Sequence, residues 1–425
     1  MTAVITGIGI AAPNGIGTET YWEAVLSGTS GLGPITRFDA SDYPVKVAGE
    51  VAEFCASGYV PGRLAVQTDR WTHLALHAAD LALADAQLRP AELPEFEMAV
   101  MTASSSGGTE FGQEEIQRLW SRGPEHVTAY QSIAWFYAAT TGQLSIRHGM
   151  RGACGVICTE QAGGLDAIGR SRSMLDGRTR LVLTGGTDAS LCPYGVLAQA
   201  TNGLLSSSPD PTLAYLPFDV RANGYVPGEG GAILVVEDAV KAAARGAPQG
   251  YASVSGYGAT FDARRTSRSV AEARAASRLR LAAELAMEDA GTQPAEVDVV
   301  FADASGDPVA DLVEADAITA LFGPYGVPVT APKIMTGRLN AGGAALDIAT
   351  AALAMRDSTI PAVTGIKDLA PGCQIDLVTG TSRPGAIRTA LVLARGHGGF
   401  NAAMVLHAGV EPLERRTDQH VQVHH

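Results

Sequence analysis

The amino-acid sequence predicts an α/β protein built from two related halves, and three observations carry that expectation. Several short, near-continuous apolar runs end in small-residue loops: AVITGIG, MAVMTASSSGG, RLVLTGG, AILVVED, VDVVFADASG and AAMVLH. Strands buried on both faces read this way, without polar alternation. Helical patterns lie between them, such as WTHLALHAADLALADAQL from Trp71 to Leu88, and alternation of strand and helix marks a layered α/β fold. The chain also echoes itself. FEMAVMTASSSGG resembles VDVVFADASGD, EQAGGLDAIG resembles LNAGGAALDIA, RLVLTGGTDAS resembles ALVLARGHGGF, and ITGIGIAAPNG resembles VSGYGATFD. Such self-similarity points to two like units, residues 1–250 and 251–412, followed by a polar tail over 413–425. Ligand sites are then expected where strand ends of the two halves face each other.

Each of these elements has a compositional reason. A chain of 425 residues with 46% hydrophobic residues and a mean hydropathy of +0.10 has enough apolar surface for more than one core. Its 49 glycines cluster at the ends of apolar runs, as α/β turns require. The net charge of −13 and the lack of any Lys/Arg run exclude a nucleic-acid partner. Cys55, Cys154, Cys158, Cys192 and Cys373 are scattered without zinc-site spacing, so neither metal nor cofactor is expected and a reduced cytoplasm is. MTAVITGIGIAAPNG begins directly as a strand without a basic n-region, and no apolar run is long enough to span a membrane. His420, His424 and His425 belong to the polar tail and read as solvated side chains.

The stretch GVICTEQAGGLDAIG, Gly155 to Gly169, has the plan of a nucleophile site. A β-branched run enters a turn, and Ala162-Gly163-Gly164 opens a helix whose N-terminal N–H groups suit an oxyanion. The turn carries Glu160 and Gln161 where such sites place Ser or Cys. An amide is not a nucleophile of that kind.

TGIGIAAPNGIGTETYWEAVLSGTSGLGPITRFD, PFDVRANGYVPGEGGAILVVED and GHGGFNAAMVL together resemble the β-ketoacyl synthases of the thiolase fold. Within that family they resemble the chain-length factor, or ketosynthase β subunit, of bacterial type II aromatic polyketide synthases. The resemblance implies a five-layered α-β-α-β-α architecture. It also implies an active-site plan of one Cys and two His, and this chain departs from it at every position. Over the active pattern STGCTSGLDA lies CTEQAGGLDA, with Gln161 at the nucleophile. Over AHGTGT lies ADASGD, with Asp303 at the first histidine. Over KSMIGHSLGA lies KIMTGRLNAG, which keeps Lys333 but has Arg338 at the second. Over the gating loop GFGG lies GHGG, with His397. None of the nine histidines falls between residues 149 and 396, the stretch where both should lie. Condensation by this chain alone is therefore not expected, and Gln161, Asp303 and Arg338 are expected to form a closed, buried polar cluster.

The resemblance further implies a heterodimer with a catalytic ketosynthase α subunit. The poly-β-ketone would grow into a tunnel at their interface, with the acyl carrier protein docking mainly on the partner. Thr109, Gly112 and Ile116 fall on one helical face and are assigned to the tunnel wall, with Ile133 and Tyr194 beside them. The same spacing serves an ordinary core stripe, but Gly112 costs a helix about 1 kcal/mol relative to Ala and needs a reason. Thr109 and Gly112 are read as leaving room, which implies a long product, decaketide to dodecaketide. HVTAYQSIAWFYAATTGQLSIRHG is read as a helix presented to the partner, and RLVLTGGTDAS as the strand pairing across the dimer axis. Cys158 is read as a buried small hydrophobe, Glu229 as structural, and Lys333 and Glu314 as remnants holding buried charge. The alternative function is malonyl-carrier-protein decarboxylation through Gln161, supplying an acetyl primer.

Overall fold

The computed structural model describes residues 2–262 and 268–409, with the backbone alone over 268–276. The polar tail and its three histidines lie outside the described residues. Eleven strands form one hydrogen-bonded path: β1 (Ala3–Ala12), β2 (Met98–Ala103), β3 (Cys154–Ile157), β4 (Leu181–Asp188), β5 (Gly230–Asp238), β6 (Ala252–Phe261), β7 (Val299–Phe301), β8 (Pro328–Thr330), β9 (Asp376–Leu377), β10 (Thr389–Gly396) and β11 (Phe400–Ala408). Their order is β9-β8-β7-β10-β11-β6-β1-β5-β4-β2-β3. From the centre outward, β1-β5-β4-β2-β3 and β6-β11-β10-β7-β8 repeat the same sequence of pairings: antiparallel, antiparallel, parallel, parallel. The sequence echoes fall on equivalent elements of this pattern, β1 on β6, β2 on β7 and β4 on β10. The two runs meet through three antiparallel pairs, from Ala3–Val254 to Ile5–Ala252.

Helices separate and cover these strands. We label α1 (Arg70–Asp85), α2 (Thr109–Arg122), α3 (Gln131–Ala134), α4 (Ala139–His148), α5 (Gly163–Met174), α6 (Pro193–Ala200), α7 (Arg268–Ala290), α8 (Pro308–Phe322) and α9 (Ala341–Arg356). α5 and α9 pack on each other and on strands of both halves, forming the middle layer, while α1 lies on β1 and β5 and α7 on β6 and β11. In α9 every residue from Ala341 to Met355 is buried, as a helix packed against strands of both runs must be. Small residues permit the close approach. A Cβ on Gly164 would lie 2.5 Å from the Ala345 backbone nitrogen. The result is the five-layered α-β-α-β-α fold.

Two sequence expectations change here. β4 is enclosed, with β2 on one side and β5 on the other, so RLVLTGGTDAS cannot offer a free edge. The open edge on that side belongs to β3, which ends the path. The segment from His126 to Gly149 is not one helix but a single turn, α3, a break, and then α4. The break has a local cause: the Trp135 carbonyl accepts the Gly108 N–H at 3.3 Å instead of continuing a helix. No helix among the described residues is long and apolar enough to cross a membrane.

Candidate functional site

Strand β3 delivers the chain into Thr159, Glu160 and Gln161, and α5 begins at Gly163. Glu160 takes φ +54, a left-handed conformation uncommon for a residue with a side chain. It is held there by the far loop, since the Glu160 carboxylate accepts the His397 backbone N–H at 2.6 Å. Gln161 is fully buried. Its amide lies against α9, where a Cβ on Gly343 would come within 2.3 Å of the Gln161 Nε2. Neither amide atom has a hydrogen-bond partner among the described residues.

The loop after β7 brings Asp303 to Arg338. Arg338 Nη1 donates to Asp303 Oδ2 at 3.1 Å and Nη2 to Oδ1 at 3.2 Å. The same guanidinium donates to the Asp303 carbonyl at 3.3 Å and to the Arg395 carbonyl at 2.8 Å. The Arg395 N–H returns to Asp303 Oδ1 at 3.0 Å. The pair thereby ties the loop after β7 and the loop before α9 to the end of β10. NGYVPGEGG supports it from beneath: the Arg338 N–H donates to the Val226 carbonyl at 2.8 Å and the Gly228 N–H to the Arg338 carbonyl at 2.9 Å. Burial alone would raise the Asp303 carboxyl, but the charges of Arg338, Lys333 and Arg395 outweigh it and hold it below the ordinary range. Asp303 is therefore ionised at neutral pH, where a histidine would be needed to polarise a thioester.

The other buried charges are committed to structure. Glu314 accepts the backbone N–H groups of Asp303 and Ala304 at 2.7 and 2.8 Å, and burial, then the Asp303 charge, pushes its carboxyl up to about 7. Lys333 pairs with Asp347 at 2.6 Å. Glu229 is bound by Arg70 Nε and Nη2 at 2.7 and 2.6 Å and by the Val51 N–H at 2.9 Å. Cys158 departs from expectation, being exposed rather than buried. Partial desolvation and the Asp188 charge push its thiol up, which makes it a poor nucleophile.

The expected three-residue cluster is thus a pair with a separate neighbour. Asp303 and Arg338 bond each other, whereas Gln161 joins neither because its amide is turned onto Gly343. Two cavities flank this region. One, of about 290 Å³, is lined by Asp303, Arg338, Arg395 and Phe400 among others. The second, of about 620 Å³, is bordered by Thr109, Gly112, Ile116 and Tyr194. Glu160, Asn202, Tyr225 and His397 border both and divide them. Ile133 borders neither and lies 40% exposed on α3. Gln161 also lines neither cavity.

Gly112 does not leave the room expected of it. A Cβ there would meet Trp135 Cδ1 at 2.9 Å, so the indole sits on the glycine. Sequence reading missed this contact because nothing in local periodicity links positions 112 and 135. Three large apolar or aromatic side chains that border the larger cavity, Ile116, Trp135 and Tyr194, are half or nearly half exposed.

The scaffold and the substituted site define the class: the chain belongs to the β-ketoacyl synthase family. The β-ketoacyl synthase N-terminal domain matches residues 2–242 and the C-terminal domain matches residues 251–367. Its particular resemblance is to ketosynthase β subunits of type II polyketide synthases. The tetracenomycin polyketide synthase ketoacyl synthase beta subunit of Streptomyces glaucescens is 55% identical over 405 residues, 95% of this chain and 97% of that relative. The actinorhodin polyketide putative beta-ketoacyl synthase 2 of Streptomyces coelicolor is 51% identical over 406 residues, 96% of this chain and 98% of that one. Among solved structures, the ishigamide ketosynthase/chain length factor matches with a TM-score of 0.87 at 26% identity, covering 96% of this chain and 99% of its own.

Proposed function

We propose that this chain is a non-condensing chain-length factor that pairs with a catalytic ketosynthase α subunit and bounds the tunnel receiving its poly-β-ketone. The observation that carries the proposal is the Asp303–Arg338 ion pair at the two positions where the family's active members have histidines. With an amide at the nucleophile and that pair beside it, acyl transfer has neither an attacking group nor a neutral base. The scaffold nevertheless keeps a cavity of about 620 Å³, a size suited to a small-molecule chain. Its rim carries the exposed aromatics Trp135 and Tyr194, a composition suited to a protein interface. The ketosynthase named with the ishigamide chain length factor supplies the partner class, and the acyl carrier protein docks mainly on the α subunit because this chain is acidic, at net charge −13.

The long product, decaketide to dodecaketide, now rests on Thr109 and on the side chains around Gly112 rather than on empty space there. Decarboxylation through Gln161 has less support, since that amide is fully buried and borders neither cavity. Exchanging this chain for another family member beside an unchanged partner tests the proposal, because product length should follow the exchanged chain.

A further inference from the structure

We propose that Trp135 is a specificity-determining residue: its indole, seated on Gly112, forms the wall that limits how far a growing chain extends into the larger cavity. This inference rests on the chain-length reading above. Its foundation is a set of three glycines at the entrance of α2, each cleared for the same corner of the chain. A Cβ on Gly108 would lie 2.1 Å from the Ala134 carbonyl oxygen, one on Gly107 2.4 Å from the Trp135 carbonyl oxygen, and one on Gly112 2.9 Å from the Trp135 ring. No larger residue fits at Gly107 or Gly108 without moving the Ala134–Trp135 backbone, and none at Gly112 without moving the indole ring. The corner is fixed from the other side by Glu115, which is buried and accepts the Thr128 N–H at 2.6 Å.

The helical cost of Gly112 therefore has a packing reason. The glycine makes a seat for the indole rather than an opening for the polyketide. Thr109, Gly112, Trp135 and Tyr137 all border the cavity, and the Trp135 and Tyr137 rings lie 6.2 Å apart between centroids. Trp135 is pinned at its backbone, is 49% exposed and borders the cavity, so its indole meets a chain that enters there. An indole is the largest side chain available, and the three atoms nearest to a Cβ at position 112 all belong to it. Free space at position 112 is consequently a joint property of the glycine and the tryptophan.

The test is coexpression of the chain with its ketosynthase α partner, with product length read by mass spectrometry for wild type, Trp135→Phe, Trp135→Ala, Gly112→Ala and Ile116→Trp. Assembly of each pair is checked by size-exclusion chromatography. Trp135→Ala should lengthen the main product by at least one two-carbon unit, and Trp135→Phe should shift the distribution in the same direction by less. Gly112→Ala should alter product length by displacing the ring, and Ile116→Trp should shorten the product independently. Should Trp135→Ala fail to assemble, the milder Trp135→Phe and Gly112→Ala variants decide the question. A change with Ile116→Trp but none with the assembled variants at 135 and 112 overturns the role of Trp135 and leaves the chain-length reading standing. No change with any assembled variant, Ile116→Trp included, overturns that reading itself.

Discussion

Replacing Arg338 by Met removes the guanidinium and leaves the Asp303 carboxylate buried without its main partner. Arg338 supplies two contacts to that carboxylate, at 3.1 and 3.2 Å, and two more to the carbonyls of Asp303 and Arg395. Stranding a buried charge in this way costs about 3–5 kcal/mol. The Arg395 N–H, at 3.0 Å, and the charge of Lys333 remain, which places the expected loss near the lower end, about 3 kcal/mol. With an unfolding entropy of about 2.1 cal/mol/K per residue, that corresponds to a fall in Tm of roughly 3–4 °C for a chain of this size. The assay is a thermal scan of the purified protein at pH 7 and again near pH 4. Asp303 is held below its ordinary range in the wild type, so the stability it contributes is present above the unfolded value and lost as pH falls through the folded one. In Arg338→Met the stranded carboxyl takes a proton more readily, and the penalty should shrink on acidification. Replacing both residues, Asp303→Leu with Arg338→Met, should recover most of the loss, since an apolar pair needs no compensation. A loss under about 1 kcal/mol for Arg338→Met, or a double variant as unstable as the single one, refutes the reasoning.

Two further outcomes follow from buried polar groups. Gln161→Met should stabilise the protein by about 1 kcal/mol, because it replaces an amide with no partner by an apolar chain of similar shape; a lower Tm in a thermal scan would show that the amide is satisfied after all. His73 is buried, and desolvation pushes its imidazole from 6.5 down to about 4 despite bonds to the backbone of Thr68 and Ala65. The unfolded chain therefore binds a proton below 6.5 that the folded chain refuses, and stability falls with pH across that window. Acidifying from neutral pH to about 5 should cost the wild type about 2 kcal/mol more than it costs His73→Gln, measured by urea unfolding; equal slopes would contradict the buried neutral imidazole.

Much of this protein is legible in its sequence, for identifiable reasons. Strands such as β4 and β5 announce themselves because both faces are buried and no polar alternation interrupts them. The duplication is legible because equivalent strands such as β1 and β6 kept their small-residue spacing. The replacement of the histidines expected from the family resemblance is readable from their absence between residues 149 and 396. What escapes the sequence is contact between distant positions. Gly112 reads as vacancy until Trp135 is seen resting on it, and the segment after His126 reads as one helix until the Trp135 carbonyl is found bonded to Gly108. Gln161 likewise looks like a member of the Asp303–Arg338 pair by alignment of motifs, yet the space opened by Gly343 turns its amide elsewhere.

The most direct measurement of the central claim is product length when this chain is exchanged for another family member while the ketosynthase α subunit stays the same. Each pair is coexpressed, purified as a heterodimer, and its polyketide products are compared by mass. The expected result is that the carbon count follows this chain, while covalent acyl groups are found by intact-protein mass on the partner subunit and not here. A carbon count that stays with the α subunit, or an acyl group carried by this chain, contradicts the account.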